Sequence, residues 1–209
     1  MNEDPRINLK KFKVWGTLLL IVASVAIWLS ISLLPSADKL PPISIVPEWS
    51  LLNQFSQPFG SHHLKGKVYI ANFAFSRCPS VCPRLMTETS KLVSAFQANK
   101  DKVNFVTFTV DPEYDTAAVL SKWSQDYPVS EGVWWYLTSD SKTTLFKLYT
   151  EGFKVGVDQG KPVGDLFDIA HSEKMVLVDQ QARIRGIYTY DEAGLSKIKS
   201  DVSQLLEQP

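Results

Sequence analysis

The chain is poor in cysteine. Its 209 residues include two, Cys78 and Cys82, and only three histidines. A bridge between the two cysteines would close a very short loop and remove little entropy from the unfolded chain. A structural disulfide is therefore a weak explanation for the pair. Net charge is also missing: 22 Lys and Arg balance 22 Asp and Glu. That balance excludes the broad electrostatic footprint of a nucleic-acid-binding protein. No internal repeat and no low-complexity tract interrupts the chain.

One stretch lacks charge altogether. Residues 14–34, VWGTLLLIVASVAIWLSISLL, hold no ionisable side chain, and a helix of about that length spans a hydrocarbon core of roughly 30 Å. A cleavable signal peptide has a shorter apolar region, roughly 7–15 residues. Pro35-Ser36-Ala37 matches a cleavage site poorly, and no cysteine follows the run to be lipidated. The segment is thus expected to be an uncleaved anchor. Arg6, Lys10, Lys11 and Lys13 precede it, and Lys39 alone lies close behind it. The positive-inside rule keeps residues 1–13 cytoplasmic and sends residue 38 onward outside. In a bacterium this makes an inner-membrane, single-pass protein with its C-terminal part in the periplasm, where cysteine pairs oxidise unless reduced or metallated.

Beyond a tether at 35–46 containing the stiff KLPP sequence, strands and helices alternate. Lys67–Phe75 reads as a buried strand, Val103–Val110 as a central strand and Val133–Thr138 as a third. Helical spacing links Leu85, Thr89, Leu92, Val93 and Phe96, then Leu120, Trp123 and Tyr127, then Leu145, Leu148 and Tyr149. Glu151–Ile169 reads as a looser region. A hairpin, Lys174–Asp179 and Arg183–Tyr190 around Gln180-Gln181, precedes a closing helix marked by Leu195, Ile198, Val202 and Leu205. This order predicts an α/β domain at 47–209, a thioredoxin-like mixed sheet with helices on both faces and one extra strand–helix unit.

Both cysteines fall where the first core strand meets the first long helix, in FAFSRCPSVCPRLM. Pro83 suits the first helical position, which places Cys82 at the helix cap, where the dipole favours a thiolate. Three residues separate the cysteines, where thiol redox proteins of this fold have two. The wider turn can close a disulfide or leave room for an ion, and soft thiolates on an exported protein favour Cu(I). Adjacent His62 and His63 point to opposite faces of an extended stretch and are expected to be solvated loop residues. His171, at the end of the glycine-rich excursion, is equally a loop histidine or a ligand on these residues alone.

Four stretches, FAFSRCPSVCPRLM, TFTVDPEYDT, WWYLTSD and AHSEKMVLVDQQARIRGIY, occur in this order and at these separations. Together they resemble the SCO/SenC family of copper chaperones, from about Pro47, where VPEWSLLNQ is similar to the opening redoxin strand, to the closing helix. The resemblance implies a thioredoxin-like fold and a metal site formed by Cys78, Cys82 and His171. It implies copper as Cu(I) and also as Cu(II), and a role in assembling the binuclear copper centre of cytochrome c oxidase. The copper-bearing oxidase subunit is the implied partner, with other periplasmic copper carriers or thioredoxin-like reductants. A rival reading is a thiol–disulfide oxidoreductase that keeps the oxidase cysteines reduced, with Cys78 and Cys82 as its redox pair. Peroxidase chemistry and a closed structural zinc site fit less well, the latter because three ligands are one short of tetrahedral closure. The chain departs from many members at Ser80 and Ala170, where aspartates are usual, and at Gln181-Ala182, where the last hairpin usually has glycine.

Asp111 and Asp115 match a family motif, yet turn and cap chemistry accounts for both: Asp115 would cap the helix beginning at Thr116 and Asp111 would organise the turn after the strand. Met86 and Met175 read as core filler, and Trp134-Trp135 as one core and one surface residue by strand alternation.

Overall fold

The computed structural model describes residues 5–33, 40–127, 132–155, 158–163, 166–170 and 174–207, with side chains for 14–29, 40–127, 132–155 and 174–207. Two units divide the chain, Met1–Lys39 and Leu40–Pro209. The first contains helix α1, Pro5–Leu33. Val14, Trp15, Leu18, Leu19 and Trp28 lie exposed along it. Among the described residues no helix is long and apolar enough to cross a membrane.

The second unit is built on an eight-stranded sheet with the spatial order β1-β10-β9-β4-β5-β6-β2-β3. Its strands are β1 (Ser44–Ile45), β2 (Ser50–Asn53), β3 (Pro58–Gly60), β4 (Val68–Ala74), β5 (Val103–Thr109), β6 (Trp134–Thr138), β9 (Lys174–Val178) and β10 (Arg183–Thr189). The helices are α2 (Val81–Ala95), α3 (Ala117–Ser124), α4 (Lys142–Lys147) and α5 (Glu192–Glu207). Strands β4, β5 and β6 run parallel, while β9, β10, β1, β2 and β3 are added antiparallel.

All seven residues of β4 and all seven of β5 are buried. Side chains alternate between the faces of a strand, so both faces of the sheet centre are covered. The apolar runs VYIANFA and VNFVTFT are the sequence counterpart of that burial. The helix faces expected from periodicity also meet the core: Leu85, Thr89, Leu92 and Val93 in α2, Leu120 and Trp123 in α3, and Ile198, Val202 and Leu205 in α5 are all buried. Phe73 and Phe108 lie 5.6 Å apart, with Tyr149 and Phe153 set edge-on to Phe73 at 5.0 and 5.5 Å. Met86 and Met175 are fully buried, and Trp134 is buried while Trp135 is half-exposed.

Some elements differ from the sequence-based expectation. Glu151–Ile169 is not simply loose: β7 (Asp158–Val163) and β8 (Leu166–Ala170) form a separate antiparallel ladder. Its glycines and proline mask the alternation a strand reading needs. The third helix ends at Lys147 and continues as one wider helical turn, Leu148–Gly152. The short edge strands β1 and β3 carry too few residues for a periodic signal.

Candidate metal centre

The turn between β4 and α2 sits at the carboxyl end of the parallel strands, where open α/β sheets place their ligand sites. Cys78 lies in the turn and Cys82 in the first turn of α2. Both are buried thiols with no disulfide between them. The helix starts two residues earlier than expected: Ser80 is its N-cap and Val81 its first residue, so Pro83 is third rather than first. The proline is still tolerated, because the N–H groups of the first helical turn have no helical partner.

The thiolate expected at Cys82 is also corrected. A hydrogen bond with Cys78 and then burial push the Cys82 thiol far up from its ordinary value, against a lowering backbone hydrogen bond at Phe75. A helix terminus contributes only about 0.3–1 kcal/mol near the surface, less than the burial of an anion costs. Ser80, in the place of the usual aspartate, puts its hydroxyl 3.8 Å from the Cys78 sulfur.

His171 lies outside the described residues, immediately after β8. Among the described residues no three His, Cys, Asp or Glu side chains are grouped to hold a metal. The donor chemistry of the pair nevertheless suits a soft ion, since two adjacent thiols become two thiolate ligands on losing their protons.

His62 and His63 are not on an extended stretch. They occupy a tight helical turn, Ser61–Leu64, with their rings 3.9 Å apart. His63 Nδ1 accepts the Gly60 N–H at 3.0 Å and its ring stacks on Phe59 at 4.7 Å. This turn precedes β4 while the cysteines follow it, so the strand's rise alone separates them by about 20 Å.

The aspartates carry the largest correction. Thr116, not Asp115, caps α3, accepting the Val119 N–H at 3.3 Å. Asp115 is fully buried and turns the other way, toward the cysteine loop. It accepts the Ser76 N–H at 3.1 Å, the Ser76 hydroxyl, and the Thr109 hydroxyl at 2.5 Å. Burial raises its carboxyl above the ordinary range, against these lowering hydrogen bonds. Asp111 organises the following turn through its main-chain carbonyl, which receives the Tyr114 and Asp115 N–H groups. Its carboxylate instead accepts Arg77 Nε at 2.7 Å, and the Arg77 guanidinium lies 4.4 Å above the Tyr114 ring. The signal available in the sequence was only that the DPEYD motif directly follows a strand.

Fold and site together define a thioredoxin-like α/β domain with a buried dithiol at the junction of its first parallel strand and first long helix. The SCO1/SenC family profile matches residues 37–207. The chain belongs to that family. The SCO1 protein homolog of Bacillus subtilis is 29% identical over 161 residues, which is 74% of this chain and 81% of that protein. The solved structure of BsSco, described as having a disulfide switch and as a member of the Sco family of cytochrome c oxidase assembly proteins, superposes with a TM-score of 0.68 at 29% identity, covering 79% of this chain and 95% of that one. Bradyrhizobium japonicum ScoI, solved with copper bound, shares the fold with a TM-score of 0.66 at 22% identity, over 78% and 99% of the two chains.

Proposed function

We propose that the chain is a membrane-anchored copper chaperone serving the binuclear copper centre of cytochrome c oxidase. The observation that carries this reading is the contact between the buried Cys78 and Cys82 thiols in a SCO1/SenC family member. Copper is cargo: Cys78 and Cys82 hold it as thiolates, and His171, the residue after β8, supplies the third donor. Sulfur suits Cu(I), and the imidazole extends the site to Cu(II). Three protein donors leave a position through which a ligand of the copper-bearing oxidase subunit can begin transfer. Periplasmic copper carriers and thioredoxin-like reductants are the further partners, the latter returning an oxidised pair to the dithiol. The uncharged run at 14–34 and its basic N-terminal flank support an inner-membrane anchor with the domain in the periplasm.

A second reading, a thiol–disulfide oxidoreductase acting on the oxidase cysteines, is favoured by the same sulfur contact. His171→Ala separates the two. In the chaperone it removes a ligand, and copper affinity falls at least the 10–100-fold typical of lesser damage around a metal. In the reductase the chemistry depends on the sulfurs, and a distant histidine is dispensable. The expected result is a folded protein with a reducible Cys78–Cys82 disulfide that fails to load oxidase copper in cells, while Cys78→Ser with Cys82→Ser abolishes stoichiometric copper. Full oxidase activity from His171→Ala in a strain lacking the protein would reject copper transfer in favour of the reductase.

A further inference from the structure

We propose that Asp115 and Asp111 are positioning residues for the cysteine pair, holding the two residues before Cys78 and thereby setting the spacing and orientation of the two sulfurs. This deepens the copper–dithiol reading above by adding residues to its site.

The placement follows from the sheet register. Strands β4 and β5 are parallel, with Ala74 opposite Thr109, and Val110 N–H donates to the Ala74 carbonyl at 3.0 Å. The segments leaving the two strands therefore emerge side by side, so that residues 34 and 39 positions apart in sequence meet. Asp115 takes both polar groups of Ser76, its N–H and its hydroxyl, and is itself steadied by Thr109. Asp111 takes Arg77, the next residue. Within the turn the Cys78 N–H donates to the Phe75 carbonyl at 3.3 Å.

The capping role that would make these aspartates merely structural belongs to Thr116. A buried carboxylate spent on two groups of a single residue next to the site directs that residue's backbone. Moving Ser76 and Arg77 moves Cys78, whereas Cys82 rides on the first turn of α2. The distance between the sulfurs is thus the coordinate these contacts control. Asp115 is fully buried, whereas the Arg77 side chain that Asp111 holds is 37% exposed, so Asp115 is the stronger of the two.

The test uses the full-length protein in detergent with two readouts. One is the dithiol–disulfide equilibrium in glutathione buffers, in which Cys78 and Cys82 give two electrons and two protons to glutathione disulfide, forming their own S–S bond and releasing two glutathione thiols. The other is competition for Cu(I) with a chromogenic chelator. Asp115→Ala is expected to shift the equilibrium constant at least tenfold, about 30 mV, and to weaken Cu(I) binding about 10–100-fold. Asp111→Ala shifts both readouts less, by roughly threefold, below the 10–100-fold typical of strong outer contacts. Asp115→Asn keeps the shape and an acceptor for the Ser76 N–H, and restores most of the wild-type behaviour. A purely structural role would lower the melting temperature while leaving both constants unchanged in the folded protein, and that result overturns the proposal. If Asp115→Ala does not fold, Asp111→Ala decides by the same criterion. If the wild type itself binds no Cu(I), the copper reading fails, and the glutathione equilibrium still decides the positioning role.

Discussion

Tyr149 donates its hydroxyl to the main-chain carbonyl of Thr109 at 2.6 Å, across 40 residues of sequence. Its ring is fully buried and lies edge-on to Phe73 and Phe108 at 5.0 and 5.9 Å. Thr109 in turn gives its hydroxyl to Asp115. The segment after α4 and the cysteine turn therefore share one anchor, the carboxyl end of β5.

Tyr149→Phe keeps the aromatic packing and leaves the Thr109 carbonyl without this donor. The expected loss is about 1–3 kcal/mol, the range for a buried group deprived of its partner. Urea denaturation measures it directly, and an unchanged midpoint would show that the hydroxyl adds nothing to stability.

Asp179 ties the last hairpin together. It accepts Arg183 Nε and Arg185 Nη1 at 2.7 Å each, and the Gln181 and Arg183 N–H groups at 2.9 Å. Burial alone would raise its carboxyl, but these hydrogen bonds outweigh burial and hold it below its ordinary 3.8. A carboxyl lowered by folding adds stability above its unfolded pKa, and that stability is lost as pH falls through the folded value. The wild type should therefore weaken below about pH 4, and Asp179→Ala should show a flatter acid limb. At neutral pH the same variant should lose about 3–5 kcal/mol, because the buried Arg185 loses the carboxylate it is paired with. Denaturation midpoints across pH 2–7 decide both points.

Ala182 sits at φ 60° in that hairpin turn, the left-handed region that costs a non-glycine residue about 1–2 kcal/mol. A glycine there would carry no such penalty, having no Cβ. Ala182→Gly is expected to gain up to about 1 kcal/mol, the relief being partly offset by the freer unfolded chain. A decrease in thermal stability would show that the Ala182 methyl makes a packing contribution larger than the strain.

The proposed orientation predicts that a phosphatase active only in the periplasm will be active when fused after Pro209. Activity at that position from a reporter confined to the cytoplasm would overturn the topology.

Much of the fold was readable from the residues because local pattern and final environment coincide. VYIANFA and VNFVTFT are apolar at nearly every position and become strands buried on both faces. Leu85, Thr89, Leu92 and Val93 repeat at helical spacing and form one buried face. Cys78 and Cys82 were legible as a chemical pair because three intervening residues at a strand–helix junction keep them close whatever the rest of the chain does. His62 and His63 show the limit of such reasoning: their adjacency was read on an extended backbone, and a tight turn brings the rings together instead.

Sequence by itself determined which side chains could act on a soft metal and which segments would become the core, because composition and short-range spacing carry that information. Tertiary structure decided what the aspartates do. In the linear chain Asp115 precedes a helix and looks like its cap; only the parallel register of β4 with β5 sets it against Ser76, and Asp111 against Arg77. Pairing between strands is specified by the whole sheet rather than by either strand. For the same reason the Cys82 thiol is raised rather than lowered: the nearby helix end is visible in sequence, whereas burial and the Cys78 contact exist only once the chain has folded.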